Sequence, residues 1–332
     1  MPDVHSLKVF AAVAQNLSFT RAAETLFLTQ SAVSHQVATL ERELGVSLFD
    51  RRGRTVELTA AGRVLVDRAR RVFAAMDEAA DAVRQAADPD QGRLRIGASP
   101  TACQHLLPES LREFRECFPG YSLAVSPGDA PAIADRVLDG SIDLGILIRP
   151  DAKERAGKRG PADATGRGGR LAYHDLFEDE LGFLLAPPHP WARRGRVTVR
   201  ELAAQRMVLY SRTSWTFRAV ERWFVKMKTP LRDPIELGSM EAIKELVKLG
   251  LGVGVMAAWT ARPELAAGSL AWLPLPGGRV RRRWAVATQA GRALGLAEQT
   301  FIGLCRAAAA NLVAAGNGPP LPLPLPPPPP PR

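Results

Sequence analysis

Residues 18–34 read SFTRAAETLFLTQSAVS, and this stretch decides the fold of the N-terminal region. Ser18 is a favoured helix N-cap, and small or apolar residues follow it on one helical face, namely Ala22, Ala23 and Leu26. Phe27-Leu28-Thr29 interrupts that helix, and Thr29 then caps a further helix that begins at Gln30. Together with an amphipathic helix over residues 6–15, this arrangement predicts a helix-turn-helix.

The helix that begins at Gln30 has an unusual polar face. Its apolar residues recur with helical spacing at Ala32, Val33, Val37, Leu40 and Leu44. The opposite face shows Gln30, Ser31, Ser34, His35 and Thr39. No Glu or Lys occurs between Gln30 and Leu40, although both are common on solvated helix faces. Short amides and hydroxyls hydrogen-bond to base edges and phosphates, so this face indicates DNA recognition.

A basic hairpin follows the third helix. Two short apolar segments, residues 48–50 and 56–58, flank Arg51-Arg52-Gly53-Arg54. Between Arg51 and Arg71 there are seven arginines and two acidic residues, and arginine favours the narrow, negative minor groove. The hairpin is therefore interpreted as a wing beside the recognition helix. The alternative is a generic helical bundle whose arginines form a solvated turn.

These segments closely resemble the LysR-type transcriptional regulators over residues 5–62. The matching residues are Phe19-Thr20-x-Ala22-Ala23-Glu24-x-Leu26-x-Leu28-Thr29-Gln30-Ser31-Ala32-Val33-Ser34, Leu40-Glu41, Leu44-Gly45, Leu48-Phe49, Arg51 and Leu58-Thr59-x-x-Gly62. The resemblance implies a winged helix-turn-helix over residues 1–58. It also implies DNA contacts from Thr29, Gln30, Ser31, Ser34, His35, Gln36, Arg51, Arg52 and Arg54.

A long helix is predicted to start at the cap Thr59 and to reach about Ala87. Apolar residues recur along it at spacings of three and four, at Leu65, Ala69, Val72, Met76 and Val83. Such a repeat is typical of a coiled-coil seam, although packing against the protein's own body would produce the same pattern. The family resemblance implies a linker and dimerisation helix over residues 59–91, hence a homodimer or homotetramer on a roughly palindromic operator.

Residues 92–311 are predicted to form an α/β domain, because strand-like and helix-like segments alternate. This pattern favours a largely parallel sheet. The resemblance continues here and implies an effector-binding domain similar to periplasmic solute-binding proteins. One subdomain would hold about residues 92–178 and 271–311, and the other about 179–270, with crossovers near 176–182 and 265–280. Residues 151–170 are interpreted as a flexible basic loop and residues 312–332 as a disordered proline-rich tail.

The cleft between those subdomains is the expected effector site. Ser99-Pro100-Thr101 follows a strand and opens a helix, and hydroxyls with free backbone N–H groups at such a start bind anions well. Ser99 and Thr101 also match the positions that hold an effector carboxylate in the family, although simple helix capping explains Ser99 equally. The further candidates are Arg149, Ser211, Trp215, Ser239 and Met240.

Composition excludes several classes of protein. The chain has 332 residues, a net charge of +10 and three cysteines, none in a C-x-x-C pair, so neither a disulfide framework nor a structural zinc site is expected. No signal peptide, membrane span, catalytic motif or nucleotide-binding loop is recognisable, so no cofactor, no metal, no enzymatic activity and a cytoplasmic location are expected. Residues 1–91 hold 11 Lys and Arg against 12 Asp and Glu, so the basic surplus lies in the effector half.

The sequence thus predicts a DNA-binding transcriptional regulator that is switched by a small, anionic effector. Its expected partners are double-stranded DNA, the effector, further copies of itself and, as an additional candidate, RNA polymerase. Three alternatives stay open. They are a solute-binding module with an N-terminal helical bundle, a thiol-based redox sensor centred on Cys103, and an enzyme on an α/β scaffold.

Overall fold

The structure, a computed structural model, describes residues 3–52, 55–88, 91–150 and 171–314. The chain divides into two compact units, residues 1–87 with 139–141 and residues 88–138 with 142–332. Three sequence-based expectations lie outside the described residues. They concern Arg54, the basic loop 151–170 and the tail from residue 315 onward.

The first unit contains four helices and one hairpin among its described residues. They are α1 (Val4–Asn16), α2 (Phe19–Leu26), α3 (Gln30–Leu44), β1 (Phe49–Arg52), β2 (Thr55–Leu58) and α4 (Ala60–Ala87). The caps predicted from the sequence are present, because the side chains of Ser18 and Thr29 accept hydrogen bonds from the backbone N–H groups of Arg21 and Ala32.

The core of this unit joins the three short helices to the hairpin. Val33, Val37 and Leu40 of α3 are buried against residues of α1 and α2. Phe49 of β1 contacts the rings of Phe10 and Phe19, with centroids 5.4 and 5.6 Å away. These aromatic contacts hold the wing onto the helix-turn-helix.

The second unit is built on one continuous sheet. Its strands are β3 (Gly92–Ala98), β4 (Tyr121–Pro127), β5 (Leu144–Arg149), β6 (Leu171–Leu185), β7 (Met207–Tyr210), β8 (Ile235–Leu237), β9 (Val253–Ala257), β10 (Ala271–Pro274) and β11 (Val280–Gln289). Among the described strands the order is β4-β3-β5-β11-β6-β9-β7-β8, and β10 pairs with β6.

Nine helices of this unit are described, together with a 3₁₀ turn at Ala258–Ala261. They are α5 (Pro100–His105), α6 (Leu107–Cys117), α7 (Ala130–Leu138), α8 (Pro190–Arg194), α9 (Val199–Leu202), α10 (Trp215–Lys226), α11 (Met240–Lys248), α12 (Arg262–Ala266) and α13 (Leu296–Ala314). None of the helices in the described part of the chain has the length and apolar character needed to cross a membrane.

The sheet is mixed, and the expectation of a largely parallel sheet was incomplete. β3 pairs in parallel with β4 and β5, and β7 pairs in parallel with β8 and β9. The pairs that join these two halves, made by β6 and β11, are antiparallel. Alternating helix and strand segments predict each parallel half, but they carry no signal for strands that return from the other half.

The second crossover lies further along the chain than predicted. Residues 265–280 hold the end of α12 and all of β10, and Ala271, Leu273 and Leu275 are buried in the core of the second subdomain. β11 is the strand that returns, because Val280 packs against that same core whereas Trp284 is buried in the core of the first subdomain. The subdomain boundary therefore falls between Val280 and Trp284.

The predicted helix between Ser99 and Phe118 is two helices, α5 and α6, with Leu106 between them. Pro108 lies in the first turn of α6. Proline lacks the N–H group that a continuous helix would need at that position, so the helix is interrupted. As a result, Cys103 and Cys117 lie on different helices.

Candidate DNA interface and effector cleft

The N-terminal turn of α3 is the part of the first unit that is best suited to reading DNA. Thr29, Gln30, Ser31 and His35 are exposed, and Ser34 is half-buried. The apolar residues of the same helix point into the core, so the polar groups are left on the outside. Because the first turns of a recognition helix meet the base edges, these side chains have the placement that base contacts require.

Hydrogen bonds within this polar face orient its members. The Gln30 side-chain amide donates to the Ser34 hydroxyl at 3.1 Å, and the hydroxyls of Thr29 and Ser31 are 3.0 Å apart. These exposed bonds can be exchanged for bonds to DNA at little cost. Gln36 differs from the others, since it is half-buried and its Oε1 has no hydrogen-bond partner among the described residues.

Glu41 anchors the wing, a role that its local sequence does not reveal. Its Oε1 accepts hydrogen bonds from the backbone N–H groups of Leu48 and Phe49, at 2.7 and 3.2 Å. The start of β1 is thereby tied to the last turns of the recognition helix. Arg51 and Arg52 lie on β1, which pairs with β2 in the register Arg52↔Thr55.

The predicted seam residues of α4 fall into two groups. Leu65 packs against the core of the winged helix-turn-helix, and Ala69 is buried. Val72, Met76 and Val83 are exposed by 40%, 46% and 70%. An exposed apolar row on a helix is the pattern expected of an interface with a second chain.

In the second unit, the predicted helix-start serines act as caps. Ser99 accepts a hydrogen bond from the Ala102 N–H at 3.3 Å, and Ser239 accepts one from the Ala242 N–H at 3.4 Å. Pro100 is exposed in the first turn of α5. Met240 is buried in the core rather than facing the cleft. The capping role that the sequence left open for Ser99 is therefore observed.

Residues of the two subdomains meet directly along α5. The buried Thr101 hydrogen-bonds to the side chain of Tyr210, whose pKa is raised chiefly by burial. The Gln104 side-chain amide donates to Glu241 at 2.7 Å. Near Ser211, which hydrogen-bonds Thr213, the Thr213 hydroxyl also donates to Asp129. These contacts hold the cleft closed at the α5 end.

A small, half-open pocket lies at another part of the cleft and is lined mainly by arginines. Its lining residues are Ile148, Arg149, Trp215, Ala219, Arg222, Arg281 and Arg282. Of the predicted effector residues, the pocket brings together Arg149 and Trp215, whereas Ser99, Thr101, Ser211 and Ser239 are not part of its lining. We name it the arginine pocket.

Two of its arginines are held by carboxylates. Arg149 donates to both oxygens of Asp175, at 2.9 and 3.0 Å, and lies 5.4 Å from the centre of the Tyr173 ring. Arg282 forms a buried ion pair with Asp179, with Nε 2.8 Å from Oδ1, and its Nη1 donates to Thr216 at 2.8 Å. Neither carboxylate lines the pocket.

Asp179 is the centre of a buried polar network that joins the two crossover strands. Besides Arg282, the indole N–H groups of Trp259 and Trp284 each donate to its Oδ2 at 2.9 Å. Asp179 lies on β6 and Arg282 on β11, so the ion pair connects the two strands that run between the subdomains. Both oxygens of this buried carboxylate accept hydrogen bonds, as buried charges require.

The environment of Cys103 does not favour a redox role. Burial raises the pKa of its thiol, and its Sγ lies 3.7 Å from the Ala98 carbonyl oxygen. Burial also raises the pKa of Cys305, to about 12. A redox-sensing cysteine needs a lowered pKa, since the thiolate is the reactive form. Among the described residues, no group of His, Cys, Asp and Glu side chains could hold a metal ion.

A winged helix-turn-helix with an exposed polar recognition face, a long helix and a two-subdomain α/β unit define a DNA-binding regulator with a ligand-binding domain. The chain belongs to the LysR family of transcriptional regulators. The family model described as "Bacterial regulatory helix-turn-helix protein, lysR family" matches residues 4–63, and "LysR substrate binding domain" matches residues 87–310.

Relatives support the assignment over most of the chain. It is 33% identical to the uncharacterized HTH-type transcriptional regulator YeiE of Escherichia coli K12, over 84% of this chain and 88% of YeiE. It is 29% identical to the HTH-type transcriptional activator CmpR of Synechocystis, over 90% of this chain and 93% of CmpR. The solved regulatory domain of Synechocystis CcmR in complex with 2-PG is 28% identical, with a TM-score of 0.56, and the match covers 67% of this chain and 99% of that domain.

Sequence reasoning missed Arg222, Arg281 and Arg282 in the pocket and Asp179 behind it. Arg281 and Arg282 lie within the run Val280-Arg281-Arg282-Arg283 of β11. This density of arginine was a usable signal, but from the sequence the basic surplus was located only in the effector half as a whole and not at this strand.

Proposed function

We propose that the protein binds a roughly palindromic operator as a homodimer or homotetramer, and that a small molecule in the inter-subdomain cleft changes this binding. It would act in the cytoplasm, with RNA polymerase as an additional partner. The start of α3 is exposed and free of carboxylates, and this observation supports the choice of particular residues as DNA contacts. A ligand that binds the two arrangements of the subdomains with different affinity shifts their populations, and so couples the cleft to the DNA.

Gln30→Ala and Ser34→Ala are each expected to lose roughly 1–3 kcal/mol of discrimination between operator and random DNA, because each removes a side chain proposed to contact a base edge. Gel-shift titrations on the DNA upstream of the gene, with random DNA as competitor, measure this difference. Arg52→Ala should instead weaken binding to both DNAs about equally, since a phosphate contact carries no sequence information.

Gln15→Ala is the matched control for Gln30→Ala, because Gln15 is an exposed amide on α1 and not on the recognition helix. Its operator preference should equal that of the wild type. Wild-type binding should also weaken steeply with salt. Equal affinity for operator and random DNA would refute the proposed function, whereas unchanged preference in both α3 variants would refute only this placement of the DNA contacts.

The second proposal is that α4 forms the dimer interface through Val72, Met76 and Val83. Met76→Lys should shift the dimer towards monomer, because it places a charge in an apolar seam. Sedimentation velocity at micromolar concentration measures the change. Val64→Lys is the control, since Val64 is 60% exposed on the same helix but lies off the seam. Equal effects of the two variants, or a monomeric wild type, would contradict the proposal.

A further inference from the structure

The lining of the arginine pocket favours a negatively charged ligand. Four of its seven lining residues are arginines, and none is acidic. Guanidinium groups that share one small space repel each other unless an anion lies between them. Asp175 and Asp179, which pair with Arg149 and Arg282, do so from outside the lining. No acidic side chain therefore occupies the lining where an external anion would enter.

The arginines approach from three different elements. Arg149 ends β5, Arg222 lies on α10, and Arg281 and Arg282 lie on β11. A planar carboxylate is satisfied by two forked donors, whereas the terminal oxygens of a phosphate monoester point in three directions. Donors carried by three separate elements therefore suit a phosphate group better than a carboxylate.

Two of the arginines are fixed in place before any ligand arrives. The Nε and Nη2 atoms of Arg282 bond to Asp179, and its Nη1 bonds to Thr216. Arg149 is held by Asp175 and stacks near Tyr173. Preorganised charge binds an anion without a large loss of side-chain entropy. Ile148, Trp215 and Ala219 complete the lining as its apolar members.

We propose that the arginine pocket binds a small phosphorylated metabolite, a phosphate monoester on a short carbon skeleton, and that this molecule is the effector. The identification as effector rests on the proposed function, whereas the binding site does not. The phosphate contacts Arg149, Arg222 and Arg281, and Arg282 supplies fixed positive charge while it remains paired with Asp179. Since the pocket joins β5 and α10 to a crossover strand, its ligand contacts both subdomains and the strand between them.

Calorimetric titration of the full-length chain with a three-carbon series tests the site. Glycerol, glycerate, glycerol 3-phosphate and 3-phosphoglycerate share one skeleton, and inorganic phosphate is titrated separately to distinguish a free anion from an ester. The two phosphate esters are expected to bind, and glycerol and glycerate to bind at least tenfold more weakly. Tighter binding of inorganic phosphate than of either ester, or of glycerate than of 3-phosphoglycerate, would overturn the proposed ligand class.

Arg281→Gln and Arg283→Gln form a matched pair of variants. Both residues are exposed on β11 and both substitutions remove one positive charge, but only Arg281 lines the pocket. Loss of a charged hydrogen bond predicts about 10- to 100-fold weaker ester binding for Arg281→Gln and wild-type binding for Arg283→Gln. Equal weakening in the two variants would show a general effect of surface charge and would overturn the site.

The phosphates of the DNA backbone are the alternative ligand for these arginines. Gel shifts with the same variants distinguish DNA binding from ester binding. Operator affinity without ligand should be unchanged in the control Arg283→Gln, whereas loss of DNA affinity in Arg281→Gln without loss of ester binding would overturn the assignment of Arg281 to the pocket. If the esters bind the wild type but the chain shows no operator preference, the proposed function fails and the phosphate site stands.

Discussion

Asp179→Ala should lower the free energy of unfolding by about 3–5 kcal/mol, because it leaves the guanidinium of Arg282 buried without its partner. The side chains of Arg282 and Asp179 are only 7% and 2% exposed. The substitution also removes the acceptor of two indole N–H groups, those of Trp259 and Trp284. Urea denaturation, followed by tryptophan fluorescence, measures the loss.

Glu178→Ala provides the control for Asp179→Ala on the neighbouring position of the same strand. Glu178 pairs with Arg283 at 2.7 Å, but the side chains of Arg283 and Glu178 are 58% and 46% exposed. An exposed pair contributes about 0–1 kcal/mol, so this variant should be nearly as stable as the wild type. Similar losses for the two variants would contradict the inference that the buried Asp179–Arg282 pair stabilises the fold more than an exposed pair does.

A double variant keeps the prediction testable if Asp179→Ala does not fold. Asp179→Leu combined with Arg282→Met removes both charges together, so neither is left buried alone. It should therefore be more stable than Asp179→Ala, and it should fold even if Asp179→Ala does not. A double variant no more stable than Asp179→Ala would mean that the unpaired charge of Arg282 is not the cause of the loss.

Gly62→Ala is the second substitution with a large expected effect. A Cβ atom at this position would lie 2.1 Å from the backbone oxygen of Leu48 and 2.9 Å from Leu58 Cδ2. The Leu48 oxygen cannot move away easily, because it accepts a hydrogen bond from the Thr59 N–H at 3.0 Å. Thr59 in turn accepts from the Gly62 N–H and donates to the Ser47 oxygen.

The expected cost of Gly62→Ala is at the upper end of the roughly 1–3 kcal/mol that overpacking causes. Thermal unfolding monitored by circular dichroism measures it, and operator binding should fall with the folded fraction. Gly303→Ala on α13 is the opposite case, since nothing lies within 4 Å of its added Cβ. That variant should gain about 0.4–1 kcal/mol from the reduced entropy of the unfolded chain. If Gly62→Ala were neutral, the close approach of α4 to Leu48 would be disproved.

The features that were predictable from the sequence are those formed by neighbouring residues. The caps Ser18, Thr29 and Thr59 each bond to an N–H group three residues later, so a short motif is enough to reveal them. The recognition face was visible for the same reason. All the polar residues of that face lie on one helix, so they are close together in the sequence.

The features that were missed depend on residues far apart in the chain. Asp179 and Arg282 are separated by 103 positions, and nothing in either local sequence identifies the other as its partner. The arginine pocket likewise combines β5, α10 and β11. The second crossover was misplaced because a returning antiparallel strand has the same residue pattern as any buried strand. Its role is defined only by its pairing with β6.

That pairing also limits how the subdomains can move. β6 and β11 are joined from Leu171↔Gln289 to Leu181↔Val280, with one shift of register between Trp284 and Ala285. The two segments that connect the subdomains thus form one two-stranded ribbon and are not independent of each other. A ribbon twists far more readily than its strands slide apart, so a signal that leaves the cleft should take the form of a rotation about the ribbon axis.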